Sequence, residues 1–319
     1  MFEPFYRLSG SPFQLSPDPS FFYGSRGHKR AYAYLQYGLY QGEGFITLTG
    51  EVGAGKTTLI RSLLQELDSR KVVAAQLVST QLDADSLLRA VATAYGLAVG
   101  NYDKARLLAQ LEAFFVSLVP KGKRALLIVD EAQNLAPEAI EELRMLSNFQ
   151  LGDRALLQSF LVGQPELRQL MRSPTMQQLR QRVIASYHLG PLDGDETRAY
   201  IEHRLRHVGW KNDPTFQSEV FARVHEFTGG IPRRINTLCT RMLLASYLSE
   251  KHAIGVADVE EVTAELAEEF GENASQAPAA PLAGPDPANV VQLERRVVGM
   301  ERALSITVNL LRQMINTHK

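Results

Sequence analysis

Apolar residues in the first 190 positions form short runs that alternate with stretches of helical periodicity. Short apolar or β-branched runs bounded by Gly or charged residues are typical of strands that are buried on both faces. Apolar residues three and four positions apart are typical of helices that pack one face on a sheet. The pattern predicts five strands, at 45–49, 72–78, 125–129, 156–162 and 183–189. Helices are predicted around them, at 28–40, 56–67, 86–95, 104–118, 137–149 and 166–179, the last interrupted near Ser173 and Pro174.

The strand pattern stops after Pro191, and only helices are predicted beyond it, at 195–208, 215–228, 232–248 and 257–270. Strands that alternate with helices indicate a parallel sheet with helices on both faces. We therefore predict an α/β fold, with a three-layer α/β/α domain at 1–191 and a second, all-helical domain at 192–270, which is called the lid below. The segment Pro12–Gly27, rich in Pro, Gly, Ser and aromatic residues, is expected to be ordered but irregular.

The C-terminal part of the chain shows two further patterns. Residues 271–288 are rich in Ala, Pro and Gly without periodicity, which predicts a flexible linker. Residues 289–319 place apolar side chains alternately three and four apart, which predicts an amphipathic heptad helix. Its narrow apolar stripe needs a partner, either the body of the same chain, a second copy or another protein.

Composition narrows the class of protein. The 319 residues carry a net charge of −1, and a general nucleic-acid coat would need a clear excess of Lys and Arg. Cys239 is the single cysteine, so a disulfide framework is excluded. The N-terminus lacks a basic segment followed by an apolar one, and no apolar run is long enough for a membrane span. We expect a cytoplasmic protein.

The strongest motif follows the first predicted strand. Residues 50–57, GEVGAGKT, fit the phosphate-loop pattern, and the required helix is predicted immediately after them. The glycines let main-chain N–H groups cradle phosphates, Lys56 reaches the β- and γ-phosphates, and Thr57 ligates Mg²⁺. ATP is therefore the expected ligand. The predicted nucleotide-binding residues are Gly50, Glu51, Val52, Gly53, Ala54, Gly55, Lys56, Thr57 and Thr58.

Carboxylates end the third predicted strand. A carboxylate at the tip of a buried strand beside a phosphate loop can hold Mg²⁺, and this is the role expected of Asp130. A second carboxylate can activate water, and this is the role expected of Glu131. Without Glu131 the pattern would favour a nucleotide sensor over a hydrolase. Gln164 follows the fourth strand, where it could touch the γ-phosphate or the attacking water, or simply cap a helix.

Three arginines are candidates for contact with the nucleotide. Arg180 and Arg182 precede the fifth strand, and an arginine supplied across a subunit boundary can stabilise phosphoryl transfer. A solvated charged face is the alternative, and we favour Arg182. Arg233 begins a predicted lid helix, where it opposes the helix dipole. That position is favourable if an anion lies opposite, so Arg233 is expected to reach back to the nucleotide.

Weaker candidates remain open. His28, Tyr23 and Phe22 precede the first strand and would line either the base pocket or the core. An arginine cluster could touch nucleic acid, although an anion site between subunits is the simpler use. Its members are Arg168, Arg172, Arg180 and Arg182.

With these residues placed, the chain resembles the AAA+ ATPases over residues 5–269. Within that range, the segment 12–25, Asp130-Glu-Ala-Gln-Asn134 and Gly163-Gln-Pro-Glu-Leu167 resemble the ExeA-type secretion ATPases, which are related to ATPases that accompany transposition. The likeness is greatest to the secretion ATPase found beside exosortase (PEP-CTERM) and exopolysaccharide genes in Gram-negative bacteria.

The resemblance implies ATP bound with Mg²⁺ between the α/β domain and the lid. It implies metal coordination by Asp130, water activation by Glu131, a first sensor at Gln164, a second at Arg233, and completion of the site by Arg182 of a neighbouring subunit. Membrane-anchored members carry a transmembrane segment and a cell-wall-binding region after the lid; here a linker and heptad helix are predicted, so direct peptidoglycan contact is not expected.

The leading hypothesis is an ATP-hydrolysing homo-oligomer that assembles or remodels a bacterial envelope export or exopolysaccharide system. It would contact protein partners through the C-terminal helix and lie at the inner membrane only through them. The alternatives are a DNA-associated AAA+ ATPase of the transposition-regulator type and a nucleotide-gated scaffold with little turnover.

Overall fold

A computed structural model describes residues 1–16, 18–78 and 82–270. The predicted linker at 271–288 and heptad helix at 289–319 lie outside the described residues. The chain divides into a compact unit, Met1–Leu266, and a second unit, Ala267–Lys319. No helix in the described part of the chain combines the length and the apolar character that crossing a bilayer demands.

The strands are β1 (Phe45–Gly50), β2 (Val72–Val78), β3 (Arg124–Asp130), β4 (Gln150–Leu151), β5 (Arg154–Ala155), β6 (Leu157–Gly163), β7 (Val183–Leu189), β8 (Thr215–Phe216) and β9 (Ala253–Ile254). The helices are α1 (Phe2–Phe5), α2 (Arg26–Gln41), α3 (Lys56–Glu66), α4 (Ala84–Ala94), α5 (Lys104–Leu118), α6 (Pro137–Leu146), α7 (Pro165–Arg172), α8 (Gln177–Arg180), α9 (Gly194–His207), α10 (Ser218–Thr228), α11 (Pro232–Leu248) and α12 (Val256–Phe270).

The main sheet has five parallel strands in the order β2-β3-β6-β1-β7. Its central strands β1, β3 and β6 are buried along almost their whole length, because helices cover both faces. The chain order and the spatial order differ, since β1 lies between β6 and β7. Because the strands are parallel, the carboxyl ends of β1, β3 and β6 lie at one edge, where Gly50, Asp130 and Gly163 end their strands.

Helix boundaries follow local capping chemistry. Asp83, Asp103 and Asp193 accept the backbone N–H three residues later at the starts of α4, α5 and α9, and Ser25 does the same for α2. Gly42 ends α2 in the left-handed conformation, which glycine adopts at low cost. The predicted helices agree with these starts to within a few residues.

The lid packs α9, α10, α11 and α12 around a separate hydrophobic core. The first residues of the chain join this core, although their place in the sequence had put them with the α/β domain. The N-terminal side chains concerned are Phe2, Tyr6, Leu8 and Phe13.

Two local predictions differ from the structure. The helix predicted at 215–228 begins only at Ser218, because β8 pairs in parallel with β9. The helix predicted at 137–149 ends at Leu146, and the two-stranded antiparallel ladder of β4 and β5 follows it. Pairing with a distant or returning strand competes with helical propensity, and such pairing is not visible in a local pattern.

Candidate functional site

The phosphate loop connects β1 to α3 with backbone geometry that only glycine accepts easily. Gly53 and Gly55 have φ of +82° and +99°. An added Cβ at Gly50 would lie 2.6 Å from the Leu189 carbonyl oxygen, and one at Gly55 would lie 2.7 Å from His28 Nε2. One side of the loop's main chain therefore lines a cavity, and the other side packs closely against Leu189 and His28.

Lys56 is the first residue of α3, so its side chain lies at the positive end of that helix. The ammonium donates hydrogen bonds to the carbonyl oxygens of Gly50, at 2.7 Å, and Glu51, at 3.0 Å. Burial lowers the pKa of Lys56, and the charges of Glu131 and Asp130 offset part of this effect. A partly desolvated ammonium gains from an anion nearby, and phosphate supplies one.

The next residue of α3 connects the loop to β3. The Thr57 hydroxyl donates to Asp130 Oδ2 at 3.1 Å. Asp130 is 5% exposed, and burial raises the pKa of its carboxyl group, although hydrogen bonds from Glu131 N–H and Thr57 lower it in part. A buried carboxylate beside a hydroxyl is the donor set that Mg²⁺ accepts when phosphate oxygens and water complete its shell.

Glu131 turns away from the strand with φ of +53°. Its Oε2 accepts hydrogen bonds from Gln133 Nε2, at 2.6 Å, and from Gln164 Nε2, at 3.0 Å. Burial alone would raise the pKa of Glu131, but these hydrogen bonds and the charge of Lys56 outweigh it, so the pKa is lowered. The carboxylate is thus held ionised, as a proton acceptor must be.

Gln133 completes this network from its other end. Its Oε1 accepts from Gln164 N–H at 3.0 Å, so it joins the strand ends of β3 and β6. Gly163 makes room for it, since a Cβ there would lie 2.6 Å from Gln133 Oε1. Sequence reasoning did not single out Gln133. The sequence indicated only that Gln133 lies two residues after Glu131. Its contact with Gln164, 31 residues further along the chain, depends on the tertiary fold.

His28 lies behind the loop rather than at the surface. It is 5% exposed, its Nε2 is 3.1 Å from the Ala54 carbonyl oxygen, and its Nδ1 is 2.7 Å from Ser25 Oγ. Burial lowers the pKa of His28, which favours the neutral ring. A cavity of about 390 Å³ opens above the loop, and Phe22, Tyr23 and His28 all line it. The structure therefore brings the three candidates for a base pocket together.

The lid meets the loop through main chain. Arg233 N–H donates to the Gly53 carbonyl oxygen at 3.2 Å, and an added Cβ at Gly53 would lie 2.3 Å from Arg233 Cβ. The Arg233 side chain lines the same cavity as Lys56 and Thr57. The start of α11 thus rests on the loop, and contact between Arg233 and the nucleotide stays a prediction.

A buried arginine ties the lid to the N-terminal segment. Arg204 donates to the carbonyl oxygens of Pro12, at 2.6 Å, and Gln14, at 3.3 Å, and to the Tyr200 hydroxyl at 2.8 Å. Tyr200 in turn donates to Asn236 Oδ1 at 2.8 Å. Arg204, Tyr200, Asn236 and Gln14 line the cavity, and sequence reasoning missed all four. Nothing in the local pattern marks them, because the network spans α9, α11 and the N-terminal segment.

The arginines before β7 are engaged within the chain. Arg182 Nη1 donates to the carbonyl oxygen, at 3.1 Å, and the hydroxyl oxygen, at 3.0 Å, of Ser147 at the end of α6. Arg180 Nη1 donates to the carbonyl oxygens of Met171, at 3.0 Å, and Ser173, at 3.1 Å, at the end of α7. Both guanidinium groups therefore satisfy helix carboxyl ends. Their action across a subunit boundary stays a prediction.

Comparison with known proteins agrees with this geometry. Residues 39–171 match the family model described as an AAA domain. The chain is 40% identical over 260 residues to general secretion pathway protein A of Aeromonas hydrophila. The aligned region covers 81% of this chain and 47% of that protein. The chain thus spans about half the length of the curated relative it matches.

Solved structures show the same fold. The ORC2 protein of Aeropyrum pernix, in ADPNP and ADP complexes, aligns with a TM-score of 0.60 at 19% identity over 80% of this chain and 71% of that one. Cdc6p of Pyrobaculum aerophilum aligns with a TM-score of 0.60 at 17% identity over 80% and 70% of the two chains. The predicted phosphate-loop AAA fold is confirmed, and the chain is related to general secretion pathway protein A.

Proposed function

We propose that this protein binds ATP with Mg²⁺ and hydrolyses it to drive changes of assembly in a bacterial envelope export system. The observation that carries the proposal is the hydrogen bond between Thr57 and Asp130, with Lys56 and Glu131 on either side of it. It joins the phosphate loop to the carboxylate strand in the arrangement that phosphoryl transfer requires.

Each residue has one task in this proposal. Main-chain N–H groups of residues 53–57 and the Lys56 ammonium bind the phosphates. Thr57 and Asp130 would hold Mg²⁺, which supplies positive charge against the phosphate oxygens when bound. Glu131 accepts a proton from the attacking water at its carboxylate. Gln164, hydrogen-bonded to that carboxylate, would orient it towards the water.

The biological setting rests on likeness. The relative named for general secretion supports a role in export, and the resemblance to ATPases beside exosortase and exopolysaccharide genes supports a polysaccharide system in particular. We propose a homo-oligomer acting from the cytoplasm, with protein partners bound through residues 289–319. In that oligomer Arg182 would leave Ser147 and contact the nucleotide of a neighbour.

The test separates binding, turnover and assembly. Glu131→Gln removes the proton acceptor but keeps the shape, so ATP hydrolysis should fall by about 100-fold or more while ATP binding is kept. ATP-bound assemblies should then last longer in size-exclusion chromatography. Glu138→Gln, at an exposed position of α6, is the matched control and should behave as the unchanged protein.

Sizing the full-length protein and a chain cut after Glu269, each with and without ATP, tests the assembly part. A nucleotide-dependent change in size is expected. If folded protein bound neither ATP nor ADP with Mg²⁺, the whole proposal would fail. If Glu131→Gln changed neither hydrolysis nor the lifetime of the assembly, the nucleotide-gated scaffold would replace it.

A DNA-associated ATPase is the second candidate, and exposed arginines favour it. Arg168 and Arg172 on α7 are exposed and form no ion pair with any residue the structure describes. ATP hydrolysis stimulated by duplex DNA, with a steep salt dependence and loss in an Arg168→Gln/Arg172→Gln variant, would support this candidate. No stimulation at low salt would dismiss it.

A further inference from the structure

A second cavity lies at the opposite edge of the main sheet from the phosphate loop. Its volume is about 580 Å³, and its walls include residues at the amino ends of several strands, such as Glu43, Lys71, Arg124 and Leu156. β1 begins near this edge and ends at the phosphate loop, so about 20 Å of strand separates the two sites. This cavity is therefore independent of the nucleotide site, and we refer to it as the basal cavity.

The basal cavity carries an excess of positive charge. Four cationic and two acidic side chains line it, a formal excess of two positive charges. They are Lys71, Lys123, Arg124, Arg154, Glu43 and Asp153. None of the six forms an ion pair with any residue in the described part of the chain. Charged side chains that converge without neutralising one another leave a field that attracts anions.

Arg124 is the central group. It is the first residue of β3, it is only partly exposed, and its guanidinium lies over Gly42, where an added Cβ would be 2.7 Å from Nη1. Burial lowers the pKa of Arg124, and no neighbouring carboxylate opposes this effect. Its side chain makes no hydrogen bond within the described residues. Five N–H donors are thus partly removed from water without a protein acceptor.

Arg204 shows how this chain pairs a guanidinium that is almost fully buried. All three of its nitrogens donate, to Pro12, Gln14 and Tyr200. Buried donors are almost always paired, because an unpaired one forfeits its hydration. Arg124 differs, because it is only partly buried and its donors are unpaired within the described residues, so they are available to an anion that enters the basal cavity.

The size and lining of the basal cavity suit a small ligand. About 580 Å³ is within the usual range for ligand pockets, and apolar side chains form part of the wall. Phe115, Val119 and Leu156 supply that part, while the exposed ring of Tyr40 stands at the rim. Several cations around one cavity favour a multiply charged anion over a single carboxylate. Guanidinium and ammonium groups are the usual ligands of phosphate.

We propose that the basal cavity binds a ligand bearing two or more phosphate charges, with Arg124 as the principal contact and Lys71, Lys123 and Arg154 around it. The phosphate belongs either to a soluble small molecule or to a lipid headgroup. Binding there does not require the phosphate loop.

Calorimetric titration of the full chain with inorganic pyrophosphate tests this proposal. Lys56→Ala, made first, weakens competing binding at the phosphate loop. In that background, Arg124→Gln should weaken pyrophosphate binding about tenfold or more, because a charged hydrogen-bond donor is lost. Arg30→Gln is the matched control, since Arg30 is exposed, outside the cavity and without an ion pair among the described residues, and it should leave the affinity unchanged.

Arg154→Gln keeps the test decisive if Arg124→Gln folds poorly, because Arg154 is exposed and its substitution should not disturb the fold. This variant should weaken pyrophosphate binding about threefold to tenfold. Retained affinity in both variants, or no pyrophosphate binding in the Lys56→Ala chain, would overturn the proposal. Flotation with phosphatidylglycerol vesicles identifies the source of the phosphate. Vesicle binding that Arg124→Gln abolishes assigns a headgroup, whereas pyrophosphate binding without vesicle binding assigns a soluble ligand.

Discussion

The nucleotide cavity has two halves that are built in different ways. In the α/β half, Lys56, Thr57, Asp130 and Glu131 are held by side-chain hydrogen bonds at the ends of buried strands. In the lid half, main-chain atoms contact the loop, because Arg233 N–H donates a hydrogen bond to the Gly53 carbonyl oxygen. The first half places charge on rigid elements, while the second closes the cavity.

The difference indicates a division of labour. Groups on strand ends cannot move without disturbing the sheet core, so they suit the chemical step. The lid meets the loop through main-chain atoms, and we propose that a shift of this contact when the nucleotide changes couples hydrolysis to assembly. Changes in the α/β half should therefore lower kcat, and changes in the lid half should alter KM or stability.

The largest effect is expected for Lys56→Ala. Loss of the ammonium should lower kcat/KM for ATP by about 100- to 1000-fold, since it opposes the charge of the transferred phosphate. A coupled assay of phosphate release measures it, with Lys211→Ala at an exposed lid position as the control. Activity within threefold of the unchanged protein would contradict the assignment of the loop.

Gln133→Leu has the next largest expected effect on ATP hydrolysis. It removes the donor to Glu131 and the acceptor of Gln164 N–H, so we expect kcat to fall by about 10- to 100-fold through misplacement of the carboxylate. KM for ATP should be unchanged, because Gln133 is not among the residues that line the cavity. Asn134→Leu, at the exposed neighbouring position, is the control. An equal rise in KM would show that Gln133 only supports the fold.

Gly53→Ala tests the lid half. The new Cβ would collide with Arg233, so the lid should be displaced and KM should rise about tenfold, with kcat less affected. Gly209→Ala separates the collision from backbone strain, because Gly209 has the same φ of +82° with no atom within 4 Å of the added Cβ. If both variants behaved alike, strain alone would explain the result.

Tyr200→Phe has the smallest expected effect. It leaves Asn236 Oδ1 without its donor and Arg204 without one acceptor, so the free energy of unfolding should fall by about 1–2 kcal/mol. Thermal unfolding monitored by circular dichroism measures this loss. Tyr40→Phe, which removes the hydroxyl of an 84% exposed side chain, should have no effect. An unchanged midpoint for Tyr200→Phe would show that the Arg204 network does not stabilise the lid.

Several parts of the site could be predicted because they depend on neighbours in sequence. The loop at 50–57 joins β1 to α3, and its glycines supply the positive φ that the turn requires. Asp130 and Glu131 end an apolar strand, and parallel strands of one sheet end at one edge. Only the strand order, with β3 beside β6, makes Gln164 a neighbour of Glu131.

By itself, the sequence determined the α/β fold, the order of most elements and the chemistry of the phosphate loop, because hydrophobic periodicity and turn residues act over a few positions. The tertiary structure alone decided that Gln133 holds Glu131, that Arg204 is buried, that Phe2 and Phe13 belong to the lid and that Arg124 lacks a partner among the described residues. Each of these depends on groups far apart in the chain, and their meeting depends on how the sheet and the lid pack.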